Sequence, residues 1–345
     1  MKCAVYYGPN DIRIEERTEP VADNDFFVLK TENCGVCGTD VRIFRHGHPQ
    51  IKKPTILGHQ IVGRIYSLDK SIGAFKEGDR VVISPDIPCG TCHWCRIGQV
   101  QHCRNPIHIG FNIDGGYAEY VRIPKEIFSK GVILKMPENI SSEEGGLIEP
   151  FACVLHAIRR IGIRNGDQIA IIGAGPVGDM FLLSLKSIAS KIIVIDIAEK
   201  RLKKAKELGA DVTINSGEEN VVDIVLEETE GLGADVVIVA TSANIAQEYS
   251  LKLVRKLGKV NFFGALPPDR PIIRFESNLI QQNDVTVYGT YGMTHEEFIR
   301  AFNLVKEGKI NLKPLITHRF TVDQIKEAFE SVEKGEAIHA TIYFK

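Results

Sequence analysis

The sequence predicts an α/β protein of two domains, a small barrel-like β-domain and a parallel sheet layered with helices. Three observations predict it. At 345 residues the chain is long for a single hydrophobic core. To about residue 148 its apolar runs are short and broken by Gly, Pro and Asp, which is the punctuation of strands. From about 150, strand-like and helix-like stretches alternate, which indicates βαβ units.

In the first part the candidate strands are FFVLKT (26–31), TILGHQIVGRIYSL (55–68), GDRVVIS (78–84) and GYAEYVRIP (116–124). In the second, DQIAIIGAGPVG (167–178) is an apolar strand running into a glycine turn, and DMFLLSLKSIA (179–189) follows as a helix. KIIVIDI (191–197) is the next buried strand, then AEKRLKKAKELGA (198–210) is a helix ending at Gly209. ADVVIVATS (234–242) and GKVNFFGA (258–265) repeat the strand theme, with the helical stretch AQEYSLKLVRK (246–256) between them. The tail holds THEEFIRAFNLVKEGK (294–309), a helix, then TVDQIKEAFESVEKGE, and ends in ATIYFK (340–345), which can pair back with the first domain.

Charge and composition exclude several classes of function. Forty-two Lys and Arg against 44 Asp and Glu leave a net charge of −2, so no nucleic-acid or membrane partner is expected. No apolar run nears the roughly 18 residues that cross a bilayer. The opening MKCAVYYGPNDIRIEE turns polar too early for a signal peptide, and a cytoplasmic protein is expected.

Cysteine gives the loudest local signal. Of eight, Cys89, Cys92, Cys95 and Cys103 form C-x2-C-x2-C-x7-C within CGTCHWCRIGQVQHC. Four soft thiolates complete a tetrahedral zinc shell with no place for water, a structural site. A nucleic-acid-binding zinc ribbon would want more basic residues than Arg96 and Arg104 nearby. Cys3, Cys34 and Cys153 read as small buried residues.

Gly173, Gly175 and Gly178 form G-A-G-P-V-G, with Pro176 and Val177 opening the helix, and Asp196 ends the next strand. Strand, turn, helix and a later acid are the context that the dinucleotide fingerprint demands. Asp196 should accept bonds from the adenosine ribose, and its charge repels a 2′-phosphate, so NAD is expected over NADP. Arg201 tempers this, since it can hold a phosphate or lie against the adenine. Thr241, Ser242, Phe263, Gly264 and residues 289–291 follow strands at the sheet's carboxyl edge and are candidate nicotinamide-side contacts.

NCGVCGTD (33–40) and LGHQIVG (57–63) offer Cys37 and His59, a thiolate and an imidazole suited to zinc. Glu149, in EPFACVLHA, supplies a third ligand, which leaves an open position for substrate.

Together these stretches resemble the zinc-dependent medium-chain dehydrogenases over essentially the whole chain. CGVCGTD is similar to C-G-x-C-G-[ST]-D, LGHQIVG to G-H-E-x-x-G, and GGYAEY to G-G-[FY]-A-E-Y; the cysteine lobe and the coenzyme fingerprint follow in order. The resemblance implies a GroES-like β-barrel catalytic domain built from 1–149 and 290–345, with the structural-zinc lobe at about 86–106. A Rossmann domain, a doubly wound parallel sheet, would occupy 150–289. It also implies one catalytic and one structural zinc per chain, NAD, and a homodimer or homotetramer associating through the Rossmann sheets.

Glu149-Pro150 and His46-Gly47 look most like the sorbitol dehydrogenase branch. The implied reaction is oxidation of a polyol, sugar or cyclitol at a secondary alcohol; threonine or simple-alcohol dehydrogenase, or a non-catalytic zinc binder, are the alternatives. Thr39 would take the alcohol proton, and Asp40 would fix the His59 tautomer. Two departures stand out. Where many members carry a relay histidine this chain has Arg42, which cannot relay; His46 or water would serve instead. Gln60 replaces the usual glutamate, which shifts ligand duty to Glu149 and leaves a less anionic metal.

Overall fold

A computed structural model describes residues 1–52, 54–68 and 72–344. It divides into two compact units, Met1–Ala152 with Met293–Lys345, and Cys153–Gly292.

The chain opens with β1 (Lys2–Gly8), β2 (Asp11–Glu16) and the long β3 (Phe26–Val36). Helix α1 (Gly38–His46) leads to β4 (Thr55–Ile56), β5 (Gln60–Ser67) and β6 (Arg80–Ile83). The paired short strands β7 (Asp86–Ile87) and β8 (Ile107–His108) bracket the cysteine lobe and its helical turn α2 (His93–Arg96). Then come β9 (Tyr120–Pro124), α3 (Ile127–Lys130), β10 (Ile133–Lys135), α4 (Ser142–Gly146) and α5 (Ile148–Ile161).

The middle of the chain alternates strand and helix. It runs β11 (Gln168–Ile172), α6 (Pro176–Leu185), β12 (Lys191–Asp196), α7 (Glu199–Leu208), β13 (Val212–Asn215) and α8 (Val221–Glu228). It continues through β14 (Ala234–Val239), α9 (Asn244–Leu253), β15 (Val254–Phe262), α10 (Asn278–Gln281) and β16 (Thr286–Gly289). The tail adds α11 (His295–Lys306), β17 (Ile316–Phe320), α12 (Ile325–Glu333) and β18 (His339–Tyr343).

In the first unit the main sheet runs β10-β6-β5-β3-β18-β17, with β9 also on β3, and β2-β1-β4 forms a smaller sheet. β18 is antiparallel to β3, with Ala340 opposite Val36; Lys345, the end of that stretch, lies outside the described residues. In the second unit the parallel sheet runs β13-β12-β11-β14-β15-β16. Its order reverses direction between β11 and β14, which opens the crevice where doubly wound sheets bind ligands. β11, β12 and β14 are nearly continuous apolar and buried, as parallel strands covered on both faces must be.

The expected boundaries shift in three places. TILGHQIVGRIYSL is two strands, because β4 joins the small sheet and β5 the large one; His59 falls in the break. The helix expected through Lys256 ends at Leu253, since Val254 instead pairs with Ala234 of β14 and starts β15. GYAEYVRIP is strand only from Tyr120, where β9 begins. Among the described residues no helix is long and apolar enough to cross a membrane.

One buried group is poorly served. Asp179, in the first turn of α6, is fully buried, and neither carboxylate oxygen has a hydrogen-bond partner. Burial pushes its pKa up to about 8, against the opposing pull of Lys204 and Arg201. The folded protein therefore holds this proton to higher pH than the unfolded chain. The resulting penalty is absent in acid, grows as pH rises through about 4 to 8, and is complete above that window. Asp179→Leu should raise Tm, and by more at pH 8.5 than at pH 5; an equal gain at both would contradict this origin.

Candidate active site

The first cluster is built at the start of α1. Cys37 caps the helix, its Sγ accepting the Thr39 N–H at 3.4 Å, while Asp40 Oδ2 accepts the Cys37 N–H at 3.1 Å. This reciprocal capping fixes the turn that carries Cys37, Thr39 and Asp40. Asp40 is completely buried and also accepts the Tyr117 hydroxyl at 2.8 Å. Its other oxygen lies 3.2 Å from His59 Nδ1. Nδ1–H is thereby committed to Asp40, and Nε2 is left to face Glu149 Oε2 at 3.9 Å.

Burial alone would lower the His59 pKa, but Asp40 and then Cys37 raise it well above the ordinary value. The same field favours any cation at Nε2, a proton or a metal. A thiol, an imidazole with its second nitrogen anchored on a carboxylate, and a glutamate are donors of the kinds that hold a catalytic zinc.

The second cluster is local. Cys89, Cys92, Cys95 and Cys103 place their sulfurs within 4.8 Å of one another, with Cys92–Cys95 at 3.5 Å and Cys89–Cys95 at 3.9 Å. A tetrahedron with Zn–S near 2.3 Å has edges of about 3.8 Å, so a zinc ion fits here. The Thr91 and Cys92 backbone amides lower the Cys89 thiol to about 6, which favours the thiolate that binds metal.

The candidate coenzyme residues lie in the second unit. Gly173 has φ of 107°, and a Cβ on Gly178 would sit 1.8 Å from the Gly173 carbonyl oxygen, so the turn is closed by direct backbone packing. A Cβ on Gly175 would meet nothing within 4 Å. That open space lies at the N-terminus of α6, where Pro176 occupies the first helical position and Val177 the next. Asp196 ends β12 and accepts the Ala174 and Ala198 amides at 2.8 and 2.9 Å, with Arg201 at 3.8 Å. Thr241 and Ser242 follow β14, and Phe263 and Gly264 follow β15. The two loops touch, since a Cβ on Gly264 would come 2.1 Å from Thr241 O, and Phe263 packs edge-on to Phe181.

Comparisons with known proteins give the family. Residues 23–137 match the alcohol dehydrogenase GroES-like domain, and residues 176–307 match the zinc-binding dehydrogenase family. The chain is 31% identical over 335 residues to a sorbitol dehydrogenase of Halalkalibacterium halodurans, covering 96% of this chain and 95% of the relative. The chain belongs to the zinc-dependent medium-chain dehydrogenases. A zinc-binding dehydrogenase of Sinorhizobium meliloti 1021 bound to NADP has a TM-score of 0.91 at 26% identity, covering 99% of both chains. An alcohol dehydrogenase of E. coli CFT073 in complex with NADH scores 0.88 at 25% identity, covering 100% of this chain and 99% of that one. The protein is a zinc-dependent alcohol dehydrogenase with a nicotinamide coenzyme, built from a GroES-like domain and a Rossmann sheet.

Within the dehydrogenase, Gln60 begins β5 and its Nε2 donates to Glu149 Oε2 at 3.1 Å. The structure does not bring His46 to this cluster. His46 is exposed at the last turn of α1, beside the Arg45–Glu333 ion pair. His48 stands nearer: its ring is 5.4 Å from Phe111, which lies 5.5 Å from the His59 ring. Sequence reasoning missed His48 and the Tyr117 hydroxyl. The HGH pair and the GGYAEY motif were the available signals, but neither says which ring turns inward. Cys92→Ser should cost one zinc per chain and lower Tm; metal content unchanged from wild type would contradict the cluster's role.

Proposed function

We propose that this dehydrogenase oxidises a secondary alcohol of a polyol, sugar or cyclitol to the ketone, with NAD as the hydride acceptor. The polar surroundings of Phe111, beside His59, carry this reading. His48 and His108 both pack against that ring. A cavity of about 320 Å³ shares the same residue and is lined by Gln50, Lys52, Thr55, Phe111 and Asn112. A simple-alcohol site would be mainly apolar, whereas a substrate with many hydroxyls needs several such partners.

Cys37, His59 and Glu149 would hold the metal, with Asp40 keeping the proton on His59 Nδ1 so that Nε2 stays a donor of electrons. Bound there, zinc supplies Lewis acidity that lowers the pKa of the substrate hydroxyl. Thr39 Oγ1, in the first turn of α1, receives the hydroxyl proton and passes it to water. Arg42, one turn on, is a donor only, and His46 lies apart. Gln60 holds Glu149 in place through its amide. Burial, then the charges of Arg42 and His108, keep His48 below its ordinary pKa, so it offers a neutral N–H to substrate oxygens.

On the coenzyme side, the open face of Gly175 receives the pyrophosphate, and Asp196 takes the ribose hydroxyls and disfavours a 2′-phosphate. The subunits associate as a dimer or tetramer through the Rossmann sheets, where β16 is an edge strand.

NADH formation should be fastest with polyols, aldoses or cyclitols, and slower with NADP; turnover confined to threonine or simple alcohols would overturn the assignment. Glu149→Ala should leave one zinc per chain, the one held by the cysteine cluster. Two zinc ions retained in that variant would remove Glu149 from the ligand set.

A further inference from the structure

The geometry points to His339 as a positioning residue that sets the orientation of the Gln60 amide, and through it the orientation of Glu149. This rests on the reading of Cys37, His59 and Glu149 as a metal site. β3 lies between β5 and β18 in the main sheet. Gly35 of β3 is opposite Gln60 on one side and opposite Thr341 on the other. His339 is two residues from Thr341 along β18, so it shares the face of Gly35 and Gln60. The same face carries the bond from Thr341 Oγ1 to Asn33 Oδ1 at 2.6 Å, two residues before Gly35.

Gly35 has no side chain to separate its neighbours. A Cβ there would come 2.2 Å from Gln60 Oε1 and 3.0 Å from His339 Nε2. The two atoms therefore converge over the glycine from opposite strands. Both are buried, and neither has a hydrogen-bond partner in the structure. Gln60 is 2% exposed and His339 3%, so the pair is closed to bulk water.

Burial drives the His339 pKa down to about 4, and the ring is neutral at physiological pH. A neutral imidazole carries one N–H. With that proton on Nε2, a rotation of the ring or the amide toward the other brings it onto Gln60 Oε1 and satisfies both orphaned atoms. It also fixes the sense of the amide. With Oε1 held by His339, Gln60 must present its NH2 to Glu149 Oε2, as observed at 3.1 Å. A flipped amide would set its oxygen against the glutamate carboxylate and leave two donors facing a ring nitrogen. Gln60 and His339 thus form a neutral pair, in place of a carboxylate at position 60 that a neutral histidine could not balance.

The test follows metal retention in the zinc-loaded enzyme. Wild type, His339→Leu and His339→Gln are dialysed against increasing chelator, and zinc per chain and NADH binding are measured. His339→Leu should lose one zinc at roughly 10–100-fold lower chelator than wild type, keep the other, and still bind NADH. His339→Gln, which restores an N–H donor, should hold both zinc ions nearly as wild type does. Gly35→Ala, which forces a methyl group between the two side chains, should show the same selective loss as His339→Leu and serves if that variant does not fold. The inference fails if His339→Leu and Gly35→Ala release neither zinc sooner, or if His339→Gln behaves like His339→Leu. A wild-type chain that carries only the zinc of the cysteine cluster overturns the metal reading itself, and this inference with it.

Discussion

A carboxylate with no exposure to water must be surrounded by donors, and Asp40 imposes that constraint on the whole first unit. Its donors come from three separate stretches: the Cys37 amide at the helix cap, the Tyr117 hydroxyl and the His59 ring. None can be supplied unless the end of β3, the break before β5 and the 115–120 segment converge. The break before β5, where the chain passes from the small sheet to the large one, places His59 within reach. What satisfies Asp40 also commits His59 Nδ1, so one buried charge governs both local folding and the chemistry open to the imidazole.

Asp196 plays a comparable part in the second unit. It binds the Ala174 amide of the glycine turn with one oxygen and the Ala198 amide before α7 with the other. The turn and the end of β12 are held together by that carboxylate, and lone pairs remain on both of its oxygens. Asp179, four residues beyond Gly175, shows the contrast. It is buried too but has no donor, and burial pushes its pKa up to about 8. Donors around a buried carboxyl group stabilise its charged form, and burial without them favours the protonated one.

The legible parts of the sequence are those whose physics is local. β11, β12 and β14 stand out because strands buried on both faces are apolar throughout, and the cysteine cluster stands out because its four sulfurs lie within one short stretch. The turn at Gly173–Gly178 is legible because its three glycines answer three local demands. Pairings across the chain are different. Gln60 and Glu149 are 89 residues apart and were joined through the family resemblance rather than through spacing. His46 and His48 differ by two positions in a stretch with no periodic signal, and the end of α1 decides which approaches Phe111. The end of α9 was misplaced because Val254 can continue a helix or begin a strand, and only its partner Ala234 settles it. His339 carried no signal at all, since its neighbour across Gly35 depends on the order of the strands.

Gln60 sets the charge balance beside Glu149. In the proposed donor set one thiolate and one carboxylate balance a dication, and an amide at position 60 adds no charge. A second carboxylate there would lie 3.1 Å from Glu149, at the position of the present amide nitrogen. Like charges at that distance repel unless a proton or a cation intervenes. The nearby ring that could supply a proton is His339, which burial keeps neutral. An amide needs neither remedy: it donates to Glu149, and its oxygen is turned toward a neutral ring across Gly35, so the site gains no charge. The substitution that departs from the family pattern is therefore tied to a histidine 279 residues away by the strand order and by the glycine between them.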